Sequence, residues 1–384
     1  MADDYVVPPT ADELEVSLFG PGYGESIVIH AGNNQWILVD SCMNPRTKQP
    51  AALSYLRDLN VDASKSVRLI VATHWHDDHV RGIAATFKEC ESAKLAISGA
   101  VDKDNFLNLL AAYTERRSID DSGLNEFLEL FAILKQRKES RTFVGSPQLA
   151  NANKLLYKEK IVLTETSIVD VEAYSLSPSD ESIVKALLSI GELLPAENIS
   201  PLRIPSVTPN YASVVVWIRV GDSQMLLGAD LQKSGDPAIG WTAILTGSIA
   251  ISGKADVFKI PHHGSQNGDE PRVWSELLNP NPLAVLTPFT RANKRLPTLA
   301  DIQRISSSTS NGYITAAPTT QSPRWNNRVI RDTLRDATRS VHPVNQGWGQ
   351  VRLRRKLNVK ASIWQTALFG NAQELAEMST RTYR

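Results

Sequence analysis

Residues 67–79 read Val-Arg-Leu-Ile-Val-Ala-Thr-His-Trp-His-Asp-Asp-His, an apolar run that ends in a burst of metal-binding side chains. The apolar part reads as a strand. In an extended segment His74 and His76 project to the same side, so together they can grip one cation. A turn after them would carry Asp78 and His79 to a second cation nearby. Two-metal sites of this kind are hydrolytic: each ion polarises an oxygen, and bound water loses its proton near neutral pH.

Upstream of this stretch the chain reads as β. Leu14, Val16 and Leu18 alternate with polar residues, and short strands at 26–30 and 36–39 meet at Gly32-Asn33-Asn34 as in a hairpin. Residues 51–59 carry leucines at helical spacing. Downstream, 101–139 predicts a pair of helices, with Asp121-Ser122 able to cap the second. Strands are expected at 161–163, 168–176, 213–220, 224–227, 255–260 and 283–287. Helices are expected at 182–190, 274–278, 298–305 and 329–337, then a hairpin across 349–364 and a short terminal helix. Strands alternating with helices in two rounds predict an α/β sandwich with its sheets inside.

The chain has 384 residues, 42% of them hydrophobic, enough for one large domain with additions. Acidic and basic residues balance at 41 each, so no global field draws nucleic acid or membrane toward it. Cys42 and Cys90 make no disulfide framework. No export signal or membrane-spanning run is visible, so the expectation is a cytoplasmic protein.

Four expected strands end in a potential ligand: Asp40, the H-x-H-x-D-H motif, Asp230, and the pair His262-His263. Ligands at strand ends sit on a rigid scaffold, while loops leave room for a substrate. The order D…HxHxDH…D…H resembles the metallo-β-lactamase superfamily. Within it the chain looks most like the hydrolase domain of the ComEC family of DNA-uptake proteins. The matching phrases are Gly22 to Ile27, Ile37-Leu38-Val39-Asp40, His74 to Gly82, Asn210-Tyr211-Ala212-Ser213, Leu226 to Asp230, and Lys259 to Ser265. The uptake proteins' membrane channel has no counterpart here.

The resemblance implies an αββα sandwich over residues 1–325, with a helical insertion at 101–139 and a C-terminal extension, 326–384, packing on it. It implies that His74 and His76 hold one metal and that Asp78 and His79 hold a second with either His262 or His263. Asp230 would bridge the two, and Asp40 would orient the motif loop from behind. Most superfamily members place another histidine about twenty residues before the bridging aspartate; Asn210 stands there, as in the ComEC-like branch. An amide oxygen is a harder and weaker donor, which shifts preference from zinc toward manganese or toward partial filling of the first site. Where that branch often has a late histidine, this chain has Arg295-Leu296-Pro297.

His30 reads as an ordinary strand residue, His342 as a surface one, and Trp75 as packing beside the site. Asp78 and Asp230, with Asp40 behind them, are the expected catalytic carboxylates, orienting a metal-bound hydroxide for attack. Ser265 and the basic group Arg291, Lys294 and Arg295, which follow an expected strand of the active-site sheet, are candidate substrate contacts and a phosphate clamp. The expected function is therefore a hydrolase using two divalent ions, zinc or manganese, on a phosphodiester in nucleic acid or a nucleotide. Single-stranded nucleic acid is a candidate partner, and 101–139 or 326–384 could receive a protein. The alternatives are an ester or lactone hydrolase of the same fold and a degenerate, non-catalytic binding subunit.

Overall fold

Strand β4 (Val67–Ala72) is buried on both faces, which is why its sequence is a continuous apolar run rather than an alternating one. It lies in the first of two large sheets. In the computed structural model, β1 (Glu13–Gly20), β2 (Ser26–His30) and β3 (Trp36–Val39) pair antiparallel. From β3 onward, β4, β5 (Lys94–Ser98) and β6 (Gln148–Ala150) run parallel. The second sheet starts with antiparallel β7 (Lys154–Thr164), β8 (Ser167–Ser175), β9 (Val216–Val220) and β10 (Ser223–Leu227). It continues in parallel through β11 (Ala255–Lys259) and β12 (Leu278–Leu286). A small hairpin, β13 (Phe289–Arg291) with β14 (Lys294–Leu296), precedes β15 (Gly312–Ile314).

The chain then returns to the first sheet with β16 (Gly349–Lys356) and β17 (Gln365–Gly370) and to the second with β18 (Gln373–Glu374). The strand orders are β17-β16-β1-β2-β3-β4-β5-β6 and β18-β15-β12-β11-β10-β9-β8-β7. The described residues are 6–20, 24–101, 123–140, 145–165, 167–193, 209–247, 251–291, 294–318, 347–359 and 362–380.

Three apolar layers hold the sandwich together. Between the sheets, Leu18, Ile29, Val39, Leu69 and Val71 meet Val171, Ile218, Met225, Val257 and Val285. On the outer face of the first sheet, Leu38 and Ile70 pack against α1 (Ala51–Asp58), α4 (Ile83–Glu89) and α5 (Gly123–Glu139). The short helices α2 (Ala63–Ser66) and α3 (Asp77–Val80) lie between α1 and α4 in the chain. On the outer face of the second sheet, Trp217 and Phe258 pack against α7 (Gly240–Gly247), α8 (Leu299–Ser308) and α9 (Leu375–Thr380), which follow α6 (Asp180–Leu193) in the chain. Helix α8 begins with a capping box between Thr298 and Asp301. The result is the expected αββα sandwich.

The tail expected to rest on the domain is woven into it. β16 pairs along the whole of β1, from Glu13 opposite Lys356 to Gly20 opposite Gly349. Glu15, fully buried, accepts hydrogen bonds from Tyr55 Oη and Arg354 Nε, both at 2.7 Å. A buried carboxylate needs such partners, and they lock the tail strand to α1. The hairpin expected across 349–364 has its second strand later, at β17. The helix expected at 274–278 is a single π-turn, Val273–Leu277, running straight into β12. Of the two insertion helices, α5 is the second; residues 102–122, the helix expected at 329–337 and His342 lie outside the described residues.

Helix α5 props the motif loop. Its Glu126 carboxylate accepts the backbone N–H groups of Gly82 (2.7 Å) and Ala84 (3.0 Å) at the start of α4. Its first residue, Gly123, donates to Asp77, and a Cβ there would run into the carbonyl of Trp75. Glycine is needed for that approach. Trp75 packs in the core under this face, as expected.

Candidate metal centre

The C-terminal ends of β3, β4, β10, β11 and β12 carry the site. Asp40 follows β3 with φ +58, a left-handed conformation that Asp tolerates better than most residues. This turns its carboxylate onto the next strand end. Oδ1 accepts Thr73 N–H (2.8 Å), while Oδ2 accepts Thr73 Oγ1–H (2.8 Å) and His79 Nδ1 (2.7 Å). With Nδ1 so engaged, His79 Nε2 faces Asp230 Oδ1 at 3.2 Å. Both atoms are buried, and no hydrogen bond joins them to each other or to another described group.

Among the described residues, two groups of ligand atoms share Asp230, each with its members within 4.8 Å of one another. One comprises Asp78, His79, Asp230 and His263; the other comprises His74, His76 and Asp230. Asp230 belongs to both. In the first group, His263 Nε2 lies 3.1 Å from Asp78 Oδ2 and 3.9 Å from Asp230 Oδ2. In the second, His74 Nε2 and His76 Nδ1 lie 3.1 Å apart, and His74 Nδ1 is held by Thr73 Oγ1 at 3.0 Å.

The choice between His262 and His263 is made by the backbone. Both residues and Gly264 sit at positive φ (48°, 53° and 78°), so the chain turns sharply and the two rings diverge. His263 enters the first group. His262 stays outside both groups, its Nε2 4.0 Å from Asp230 Oδ2 and its Nδ1 buried without a hydrogen bond. The two histidines in this conformation store strain that the surroundings must hold. Arg304 holds it, donating to the Gly264 carbonyl at 2.6 Å while its other nitrogens bind Asp269 and Asp301.

Asn210 sits in a short 3-10 turn, Pro209–Ala212, anchored to the motif where Val214 N–H meets the Thr73 carbonyl (3.1 Å). Its Oδ1 is buried and without a hydrogen-bond partner. Such an orphan is costly unless a partner completes it, and the His and Asp groups around Asp230 can hold metal ions. Ser265 closes the His262 turn through its backbone N–H. Of the basic group, Lys294 and Arg295 are exposed on the β13–β14 hairpin. The Phe289 ring of that hairpin stands against the His263 ring, centres 5.2 Å apart, and Lys294 Nζ lies over the Phe289 ring, 5.9 Å from its centre. Arg291 ends β13; its side chain lies outside the described residues.

Charge in the site is strongly correlated. Burial opposes ionisation of Asp230, but His79 and His263 beside it outweigh this and hold its carboxyl well below the usual range. Asp78 is lowered too, burial being overcome by the hydrogen bond from His263 and by His79. For His79, burial disfavours the cation, yet Asp230, Glu25 and Asp40 push its pKa well above the ordinary value. Burial holds His74 well below, aided by repulsion from His79 and His76. A neutral His74 keeps a lone pair for a metal.

Sequence reasoning assigned no role to Glu25, Lys259 or Thr287, all fully buried behind the ligands. Glu25 Oε1 lies 2.6 Å from Lys259 Nζ, and Glu25 Oε2 accepts Thr287 Oγ1–H at 2.9 Å. One signal was available: Lys259 stands between Phe258 and Ile260 in a parallel strand that is apolar apart from Asp256, and a charge buried there needs a partner.

Residues 19–95 match the family model of the metallo-beta-lactamase superfamily. The matched stretch runs from the end of β1 through the H-x-H-x-D-H motif to β5, and the two helix-flanked sheets are consistent with the metallo-beta-lactamase sandwich. Among solved structures, the chain is similar to MEM-A1, a subclass B3 metallo-beta-lactamase from a soil metagenome library. The likeness has 15% identity and a TM-score of 0.30, over 68% of this chain and 83% of that one. It is also similar to a metallo-beta-lactamase of Cronobacter sakazakii with a HARLDQ motif, at 12% identity and a TM-score of 0.28, over 62% of this chain and 64% of that one. No curated protein matches the sequence. No helix among the described residues is long and apolar enough to cross a membrane.

Proposed function

We propose that this chain is a metal-dependent hydrolase of phosphodiester bonds in nucleic acid or a nucleotide, kin to the ComEC hydrolase domain, and that it works in the cytoplasm. The observation that carries the reading is Asp230, one carboxylate shared by two groups of ligand atoms. In this reading Asp78, His79, Asp230 and His263 hold one divalent ion, and His74, His76 and Asp230, with Asn210, hold another. Zinc or manganese so held would polarise the scissile group and make water acidic enough to attack at neutral pH.

The chain's own residues supply the rest. Asp40 fixes His79 so that Nε2, not Nδ1, faces the centre. Asp78 and Asp230, both kept ionised, offer oxygens that can orient an attacking water. His262, its Nε2 4.0 Å from Asp230 Oδ2, would in this reading touch a leaving group or substrate oxygen. Lys294 and Arg295 support the choice of phosphodiesters: they are exposed cations on a hairpin that contacts His263 through Phe289, where an anionic substrate would need them. With acids and bases in balance, the substrate suited to this surface is short or single-stranded rather than a long duplex.

The test is a substrate panel with manganese or zinc: single-stranded DNA, RNA, bis(p-nitrophenyl) phosphate and a lactone, each with wild type and Asp78→Ala. Cleavage of a phosphodiester that disappears in Asp78→Ala is expected. Activity on the lactone alone would replace the substrate class, and no turnover of any substrate would favour a binding subunit.

A further inference from the structure

Lys259 ends β11 and its side chain is fully buried. Nζ lies 2.6 Å from Glu25 Oε1 and donates to the Ala229 carbonyl at 2.9 Å. Ala229 (φ +43) directly precedes Asp230, and the same carbonyl accepts His262 N–H at 3.0 Å. Lys259 therefore fixes the peptide next to Asp230 and the entry to the His262–His263 turn at one point.

Its partner Glu25 belongs to the other sheet, immediately before β2, and reaches the remaining ligands. Glu25 N–H donates to the Asp78 carbonyl at 2.9 Å, and Glu25 Oε1 lies 3.6 Å from His79 Nδ1. Glu25 Oε2 accepts Thr287 Oγ1–H, and that hydroxyl lies 3.1 Å from His263 Nδ1. The contacts of this pair run to all four members of the Asp78, His79, Asp230 and His263 group. His74 is held separately, by Thr73.

Glu25, Asp40 and His79 also bring ligand atoms together, which alone could suggest a third ion. The Lys259 ammonium already supplies the cation on Glu25. Four carboxylates (Glu25, Asp40, Asp78 and Asp230) are buried in this small region, and close like charges repel strongly at low dielectric. A cation fixed in the chain offsets part of that repulsion without occupying the ligand atoms that face the centre.

We propose that Lys259 and Glu25 are positioning residues: a built-in ion pair bridging the sheets that preforms the Asp78, His79, Asp230 and His263 group before metal arrives, making it the tighter of the two sites. The inference rests on the metal reading above. Outer partners of metal ligands typically change affinity 10–100-fold when removed.

The experiment is a cobalt(II) titration read by calorimetry and by visible ligand-field absorption. It compares wild type, Thr287→Val, Thr287→Ser and the charge-neutral double variant Glu25→Gln/Lys259→Met. Wild type is expected to bind cobalt in two phases. Thr287→Val, which buries no unpaired charge on the lysine, is expected to weaken the tighter phase about tenfold or more and alter its spectrum, leaving the weaker phase in place. Thr287→Ser, restoring the hydroxyl, is expected to recover both. The double variant should fold, since no charge is left unpaired, yet share the Thr287→Val defect; if it does not fold, the Thr287 pair decides. Wild-type affinities and spectra in Thr287→Val would overturn the inference alone. Wild type that binds no cobalt would overturn the metal reading, and the inference with it.

Discussion

Asp40 Oδ2 accepts the Nδ1 proton of His79 at 2.7 Å, from a backbone turned to φ +58 and a carboxylate pinned by both donors of Thr73. A carboxylate can only accept, so it keeps a proton on Nδ1, and Nε2, facing Asp230, is the nitrogen that would give up its proton to offer a lone pair to a metal. Asp40→Asn keeps the size but can offer an N–H to Nδ1, which would move the ring proton to the nitrogen facing the centre. Metal analysis after dialysis is expected to show roughly 10–100-fold weaker retention in the Asp78, His79, Asp230 and His263 group, with activity falling in parallel. Full metal content in Asp40→Asn would reject this role.

The β13–β14 hairpin makes a claim about substrate charge. Lys294 and Arg295 are exposed, so their contribution is a screened attraction rather than a fixed contact. Lys294→Ala and Arg295→Ala are each expected to raise KM for a phosphodiester severalfold, with kcat nearly unchanged and a neutral ester unaffected. An equal loss on charged and neutral substrates would show that the hairpin shapes the pocket and does not recognise phosphate.

His30 governs acid stability away from the metal centre. Its Nδ1 donates to the Glu13 carbonyl (2.9 Å) and its Nε2 accepts the Asn34 N–H (3.0 Å), so the buried ring is satisfied only when neutral. Burial pushes its pKa down to about 4, against an ordinary 6.5. The unfolded chain therefore takes up a proton first as pH falls. The contribution to stability is complete above pH 6.5 and is lost as pH drops toward about 4, an effect of about 3 kcal/mol. Urea unfolding of wild type and His30→Gln at steps from pH 7 to pH 4 checks this. The variant is expected to start less stable and to lose less; parallel curves would refute it.

Much of the site could be read from the chain because its ligands sit at strand ends. Parallel strands buried on both faces give unmistakable apolar runs, as β4 does, and the residues just beyond them stand out. Asp40, Asp230 and the motif are legible for that reason. His262 and His263 are not distinguishable in sequence: they are neighbours, and only the consecutive left-handed conformations held by Arg304 separate them. The Glu25–Lys259 pair joins residues from different sheets, a contact no local pattern encodes. The same holds for β16, whose pairing with β1 links residues at opposite ends of the chain and makes the tail part of both sheets.

The central claim is that Asp230 is one carboxylate serving two metal sites. The direct measurement is metal stoichiometry by mass spectrometry after stripping and reloading with zinc or manganese, in wild type, His74→Ala and Asp230→Ala, with folding checked by circular dichroism. Wild type is expected to retain roughly two ions, His74→Ala roughly one, and Asp230→Ala fewer than one, because its loss opens both groups together. Folded Asp230→Ala that still retains both ions, or wild type that retains none, would contradict the account.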